Sequence, residues 1–302
     1  MKAVSQCSLC LLKLAHTSAD AMGADESLRM KAVNAAISVL DKDDFERIPP
    51  AIARDVLDAV NQALGTDDPF AQKKTEHDRK AKKLADEWAP DYMAGTKTDD
   101  ERLERAIKAA IAGNGMDMAT IPEDADPERF KKWLEVPWAR YDFGDFKKAV
   151  EAAENILYLL DNAGEVAFDR ILIQELLDRG KKITAVVKDG PALNDAMAED
   201  ALTVGLDKLE GPAGKITLMT TGQRNMGLDL ANASPEMRKL FFDADMVIGK
   251  GQANLESLHD CGREVFFVTL IKCTHVAVYY GYKKGQAMLY KGGLESGTGP
   301  AR

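Results

Sequence analysis

The chain has 302 residues, 45% of them apolar and 29% charged, a balance that excludes wholesale disorder and allows either one large core or two modest domains. Forty basic against forty-nine acidic side chains leave a net charge of −9, which argues against a general nucleic-acid footprint. An anionic small molecule could still bind, given a local cation such as a metal ion or a few placed lysines.

The N-terminal stretch MKAVSQCSLCLLKLAHTSADA has the lysine, apolar run and small residues of a secretory leader, but Lys13 interrupts the run and an amphipathic helix fits as well. No segment approaches the ~18–20 apolar residues that span a bilayer. Four cysteines in a chain of this length make no disulfide scaffold, so a cytoplasmic protein with no membrane partner is expected. Met30, Val33, Ile37 and Leu40 recur at helical spacing, and Pro49-Pro50 then open a helix over Ala51–Leu64 that Gly65 closes. The lysine-rich segment Asp68–Ala89 reads as a helix with a solvated face. A further helix over Asp99–Ala112 ends at Gly113-Asn114-Gly115, and two shorter ones lie near Glu128–Leu134 and Phe146–Ala153.

At residue 155 the texture changes. Asn155–Leu160 is a short apolar run suited to a strand buried on both faces, followed by a helix over Glu165–Arg179 that Gly180 stops. Strands are expected at Lys182–Val187, Ile216–Thr221, Met246–Ile248, Val265–Leu270 and Ala287–Tyr290, with helices at about Asp195–Val204 and after the Ser234-Pro235 cap. Strand alternating with helix predicts an α/β fold with a mainly parallel sheet and helices on both faces. The division expected is a helical region over 1–150 and an α/β region over 151–302, with the end of the chain frayed from about Gly292.

In open sheets of this kind ligands bind beyond the carboxyl ends of the strands. The first strand is followed by Asp161-Asn-Ala-Gly-Glu165, the second by a loop ending in Asn194-Asp195, the third by Thr221-Gly-Gln-Arg-Asn, the fourth by Gly249-Lys-Gly-Gln-Ala-Asn254, and the fifth by Lys272-Cys273. Such oxygen donors suit Mg²⁺, Mn²⁺ or a similar hard cation, and glycines let backbone amides approach phosphate oxygens. Each motif also has a plain structural reading. Asp161 and Asn162 can serve as turn and cap of the next helix with Glu165 complementing its dipole, and Asn194 or Asp195 can be an ordinary cap. Gly249-Lys-Gly matches neither the Walker sequence nor the dinucleotide fingerprint.

Taken in order, DNAGEVAFD (161–169), the Asn194-Asp195 pair with the following AMAEDA, GKGQANLESL (249–258), IKC (271–273), AGNGMD (112–117), DPFAQKK (68–74) and the N-terminal CSLC resemble the metal-dependent damage-control phosphatase family. That family includes the protein once described as an acidic-residue methyltransferase and the phosphatase domain fused to some pantothenate kinases. The resemblance implies a helical region packed on a three-layer α/β/α domain and hydrolysis of small phosphorylated metabolites such as sugar phosphates, supported by Mn²⁺, Co²⁺, Ni²⁺ or Mg²⁺. It implies Asp161, Asn162 and Asp195 as metal ligands, and Asp161, Asn114, Asp117 and Lys272 as the catalytic set. Lys272 would hold the phosphate, with Gly249, Lys250, Gly251 and Asn254 lining its pocket. Glu165 would serve either there or at the helix dipole. The attacking group, metal-activated water or the Asp161 carboxylate, stays open. So do two rival functions: a protein-carboxyl methyltransferase, and a non-catalytic sugar-phosphate or nucleotide binder.

Cys7 and Cys10 form a C-x-x-C with no second pair at zinc spacing, so buried free thiols are expected ahead of a metal or redox role. The four histidines show no metal-binding spacing; His275 lies nearest the proposed pocket.

Overall fold

The computed structural model describes residues 1–116 and 127–294. The chain opens with α1 (Ser5–Ala21), α2 (Glu26–Leu40) and α3 (Pro49–Leu64). Asp25 caps α2 by accepting from Leu28 N at 2.9 Å, prolines occupy the first turn of α3, and Gly65 ends it in the left-handed region. These three helices share a core of their own, in which Ala15, Ala19, Ala32, Ala36 and Ala53 let the helices approach closely around Ile52, Val56 and Val60.

Next come α4 (Ala71–Ala94), α5 (Asp99–Asn114), α6 (Pro127–Leu134), β1 (Trp138–Tyr141) and α7 (Phe143–Ala152). In α4 the lysine-rich surface is only part of the helix. Lys74, His77, Asp78, Ala81, Leu84 and Ala85 form a buried stripe, and Lys74 and Asp78 carry charge-bearing groups into it. Thr98 caps α5 by accepting from Glu101 N at 3.1 Å, and three acidic residues fill its first turn. From Ala109 to Asn114 every residue of α5 is buried, because the helix end packs on α8 and against the sheet.

The remaining elements are β2 (Asn155–Leu159), α8 (Val166–Asp178), β3 (Lys182–Val187), α9 (Ala198–Thr203), the hairpin β4 (Glu210–Gly211) and β5 (Gly214–Lys215), and β6 (Thr217–Thr220). They continue with α10 (Pro235–Asp243), β7 (Met246–Lys250), α11 (Gly251–Leu258), β8 (Val265–Leu270), α12 (Thr274–Tyr280) and β9 (Ala287–Gly292). Apart from the hairpin these strands form one sheet in the order β1-β9-β8-β7-β2-β3-β6. Five central and edge strands run parallel; β9 is antiparallel to β8, and β1 pairs with it in parallel. Both faces are covered, which makes the three-layer α/β/α arrangement. Ile156 and Tyr158 face the core shared with α5 and α8, while Leu157 and Leu159 face the core shared with α10, α11 and α12.

The α/β class, the mainly parallel sheet and the helical N-terminal region agree with expectation. Several details differ, among them the hairpin β4–β5 and the helices α11 and α12, which were not foreseen. Helix α9 is shorter than expected, beginning at Ala198, because 188–197 is a loop held by specific hydrogen bonds. Strand β1 was not foreseen: it has four residues and follows Pro137, too little for a period-2 pattern to register. The core around α5 and α8 also draws in Ala81, Phe130 and Phe146, from before residue 150.

The strand order sets the site. Chain progression runs from β2 outward to β3, whereas β7 returns to the other side of β2, so the loops after β2 and β7 splay apart at a topological switch point.

Candidate active site

A cavity of about 490 Å³ lies over this switch point. Its floor holds Asp161 and Asn162 from the loop after β2, Asn194 and Asp195 from the loop after β3, Asn114 from the end of α5, and Lys272 from the loop after β8. Two backbone hydrogen bonds zip the first two loops together: Ala163 N donates to Asn194 O at 2.9 Å and Ala196 N to Asp161 O at 2.8 Å. They place Asn162 opposite Asp195 in an isolated antiparallel bridge. Closing the second loop requires Leu193 to adopt φ 56, in the left-handed region that a branched residue enters only under constraint from its surroundings.

Asn114 couples the helices to this cluster. Its Oδ1 accepts from Leu270 N at 3.0 Å and Thr269 Oγ1 at 3.3 Å. Since a backbone N–H can only donate, the amide's Nδ2 must face the other way, where it donates to Asp161 Oδ2 at 3.1 Å and Glu165 Oε2 at 2.8 Å. Asn162 Nδ2 donates to the same two oxygens, at 2.8 Å and 3.2 Å. Two amides thus hold Asp161 and Glu165 side by side.

Beneath them lies a buried ionic layer. Lys250 Nζ is 2.6 Å from Glu165 Oε1 and 2.6 Å from Asp169 Oδ1, and donates to Ala110 O at 3.1 Å. Tyr158 Oη donates to the same Asp169 oxygen at 2.8 Å. Burial opposes the charge on Lys250, but Asp169 and Glu165 more than offset it and hold its pKa above the ordinary value. Burial raises Asp169 to about 7 even with Lys250 pulling the other way. Asp161 is pushed well above the usual carboxylate range, first by burial and then by the charges of Glu165 and Asp195, against the opposing pull of Lys272 and Lys188.

The GKG segment shapes the floor rather than reaching across it. Lys250 was expected to line the phosphate pocket, yet its ammonium is fully enclosed among carboxylates below the floor. Gly249 sits within β7 between its neighbours Leu159 and Phe267. Gly251 has φ +76, and a Cβ there would overlap the Asp161 carboxylate. Asn254 is a tie between loops, accepting from Leu228 N at 3.0 Å and donating to Lys250 O at 2.7 Å. Glu165 occupies both carboxylate oxygens within the cluster. Asp117 lies outside the described residues.

Several residues that build the site are not among the site residues expected from the sequence. Asp78 accepts from Gly164 N at 2.5 Å, and His77 packs where a Gly164 Cβ would stand, so α4 clamps the loop after β2. The only available signal was the buried stripe in α4. Gln252 Oε1 accepts from Lys272 N at 3.0 Å and Cys273 N at 3.1 Å, fixing the turn that presents Lys272. Cys7 is buried, Cys10 exposed, and both line the far side of the cavity as free thiols. His275 also lines the cavity, and one ring nitrogen lies 3.0 Å from Lys2 O.

A divalent cation fits the donor set on chemical grounds. Asp161, Asn162 and Asp195 supply hard oxygen atoms on loops fixed to each other, and Asp161 already bears the cost of neighbouring negative charge that a cation would relieve. Among the described residues no three His, Cys, Asp or Glu side chains gather in metal-holding geometry. A cation here would therefore rest on two carboxylates and an amide, as Mg²⁺-like ions do when phosphate and water complete the shell.

A profile of the damage-control phosphatase ARMT1-like domain matches residues 3–288. The chain belongs to this family. It is 34% identical to a damage-control phosphatase of Pyrococcus horikoshii, over 94% of this chain and 96% of that protein. It is 29% identical to a damage-control phosphatase of Archaeoglobus fulgidus, over 94% and 97%. The crystal structure of a DUF89 family protein from Pyrococcus horikoshii superposes with a TM-score of 0.84 at 30% identity, covering 97% of this chain and 99% of the other. No helix among the described residues is long and apolar enough to cross a membrane.

Proposed function

We propose that this protein is a divalent-metal-dependent phosphomonoester hydrolase acting in the cytoplasm on small phosphometabolites, sugar phosphates among them, in a housecleaning role. The observation that carries the reading is the convergence of Asp161, Asn162, Asp195, Asn114 and Lys272 from four separate segments on one cavity floor. The family relationship supplies the reaction class, and free thiols in all four cysteines agree with a reducing compartment.

In this reading Asp161, Asn162 and Asp195 hold Mn²⁺, Co²⁺, Ni²⁺ or Mg²⁺. When bound, the cation supplies charge neutralisation and Lewis acidity toward the phosphoryl group. Lys272, on a turn whose backbone Gln252 holds, neutralises a further phosphate oxygen. Asn114 and Asn162 fix the Asp161 carboxylate through Oδ2, which keeps the cluster from collapsing when charge develops on the substrate. The hydroxyl of water goes to phosphorus and the leaving alcohol takes the proton.

The test is phosphate release from small phosphate esters by protein stripped with a chelator and reloaded with Mn²⁺ or Co²⁺. Activity should vanish on stripping and return on reloading, and Asp161→Ala should lose about 10²-fold or more, the scale of removing one group from a preorganised buried site. Equal turnover by the variant would sink the assignment.

A further inference from the structure

The loops that carry Asp161, Asn162 and Asp195 are zipped to each other, and each is tied a second time to one buried cluster of charge. Gly164, two residues after Asn162, donates its N–H to Asp78 Oδ1 at 2.5 Å. Met197, two residues after Asp195, donates its N–H to Asp200 Oδ2 at 2.8 Å. Asp78 and Asp200 share a hydrogen bond between their carboxyl groups. Lys74, one turn before Asp78 on α4, has its Nζ 3.0 Å from Asp68 Oδ2 and 3.5 Å from Asp200 Oδ2. Lys74, Asp78 and Asp200 are all buried, and none of them lines the cavity.

Packing alone does not call for this chemistry. Well-packed apolar side chains in place of a buried ion pair are often neutral or stabilising, so docking α4 on α8 and α9 needs no charge. What the charges supply is acceptors. Without Asp78 and Asp200, Gly164 N and Met197 N lose the partners that hold their loops. Burial opposes the charge on Lys74, but Asp200 and Asp68 more than offset it and hold its pKa above the ordinary value. Asp78 Oδ2 meets no donor among the described residues, so the bond between the two acids needs a proton on one of them. An asparagine at position 78 would keep both links, accepting through Oδ1 and donating through Nδ2.

We propose that Lys74, Asp78 and Asp200 are positioning residues for the divalent cation, setting the spacing of the two ligand-bearing loops and through it the affinity of the site. The inference rests on the metal-dependent reading and deepens it. Asp161 and Asn162 come from one loop and Asp195 from the other, so the donor set exists only while the two loops keep their register. A loop freed at Gly164 or Met197 keeps its ligands and loses their spacing. Groups that orient metal ligands from behind in this way contribute about 10- to 100-fold to affinity.

The test is calorimetric titration of full-length, chelator-stripped protein with Mn²⁺. Asp78→Ala releases the loop after β2 and Asp200→Ala the loop after β3, and each should weaken Mn²⁺ binding about tenfold or more. Asp78→Asn should stay within about threefold of the wild type, since it keeps both links. Val150→Ala, in the core on α7, is the control for stability: it should lower Tm and leave Mn²⁺ affinity unchanged. Wild-type affinity in a folded alanine variant overturns the proposal, as does an equal loss in Asp78→Asn or in Val150→Ala. Should neither alanine variant fold, Asp78→Glu, one methylene longer, takes their place with the same expectation. If the wild type binds no Mn²⁺, Co²⁺, Ni²⁺ or Mg²⁺, the metal-dependent reading fails. The positioning is then read in metal-free protein from amide hydrogen exchange at Ala163 and Ala196, whose bonds zip the two loops. Exchange at both should be about tenfold faster in either alanine variant, and unchanged protection overturns the proposal.

Discussion

Lys250→Met separates a lysine that grips phosphate from one that underpins the floor of the site. Lys250 is completely buried, with Glu165 and Asp169 each 2.6 Å away. Removing one partner of a buried ion pair costs about 3–5 kcal/mol, because the remaining charge is left uncompensated. Here two carboxylates lose their counter-charge. Asp169, whose pKa already stands at about 7, takes up a proton in the variant near neutral pH, and this keeps the loss from doubling. At roughly 2 °C per kcal/mol for a chain of this size, Tm should fall by about 6–10 °C. The denaturant midpoint should fall with no change in its slope. Turnover should drop as well, since Glu165 is the shared acceptor that orients both Asn114 and Asn162 toward Asp161. A phosphate-gripping lysine behaves differently: its loss raises KM for the ester and leaves stability alone. A stability change below about 1 kcal/mol together with a raised KM would refute the reasoning, that loss being too small for a broken buried pair.

Gly251→Ala should cost about 1–2 kcal/mol from the left-handed backbone alone and, by pushing on the Asp161 carboxylate, reduce phosphate release at least tenfold. Gly65→Ala is the control, with a similar φ of +72 and nothing within 4 Å of the added Cβ; it should share the stability loss and keep the activity. Asp78 is raised to about 8 by burial and by Asp200, against the Gly164 N–H and Lys74, while an unfolded aspartate titrates near 4. The folded state therefore holds an extra proton across that window, and stability should be highest at its acid end and decline as pH rises toward 8. Denaturation midpoints measured from pH 5 to 8 should show this decline, and Asp78→Asn should flatten it; an unchanged slope counts against the buried proton. Asn114→Leu removes an amide that ties Leu270 N to Asp161 and Glu165, and should lower stability by about 2–4 kcal/mol in a melting experiment.

Much of the fold is legible because the strands are apolar runs between turn residues and the helices carry their own punctuation. Asp25, Thr98, Ser234 and Gly65 each end or begin a helix where their chemistry says they should. The floor of the site is legible only as a set of strand ends. That Asn162 meets Asp195 depends on two backbone hydrogen bonds between loops more than thirty residues apart, and on Leu193 accepting a disfavoured φ, neither of which leaves a trace in composition. Lys250 shows the limit most plainly. A lysine between two glycines after a strand has the look of a phosphate ligand, and its true partners, Glu165 and Asp169, lie about eighty residues earlier, at the start of a helix where nothing in the sequence pairs them with it. In α4 the pattern was present but masked: the buried positions 74, 77, 78, 81, 84 and 85 follow helical spacing, and half of them carry polar side chains.

The same buried charges explain why Asp161 is the most strained carboxylate of the cluster. Four acids meet here: Asp161, Glu165, Asp169 and Asp195. Lys250 serves Glu165 and Asp169, and Lys188 lies 3.4 Å from Asp195. Asp161 has two neutral amides on Oδ2 and feels Lys272 and Lys188 only as weaker opposition to its acidic neighbours. Gly251 leaves the carboxylate space that any side chain at that position would take. Amides orient a carboxylate without cancelling its charge, whereas a lysine would do both and leave nothing for a ligand. The arrangement thus disfavours the charged form of Asp161, a side chain that lines the cavity, and a cation bound there would relieve that penalty. A divalent cation supplied from solution would complete such a site, and a third buried lysine would close it.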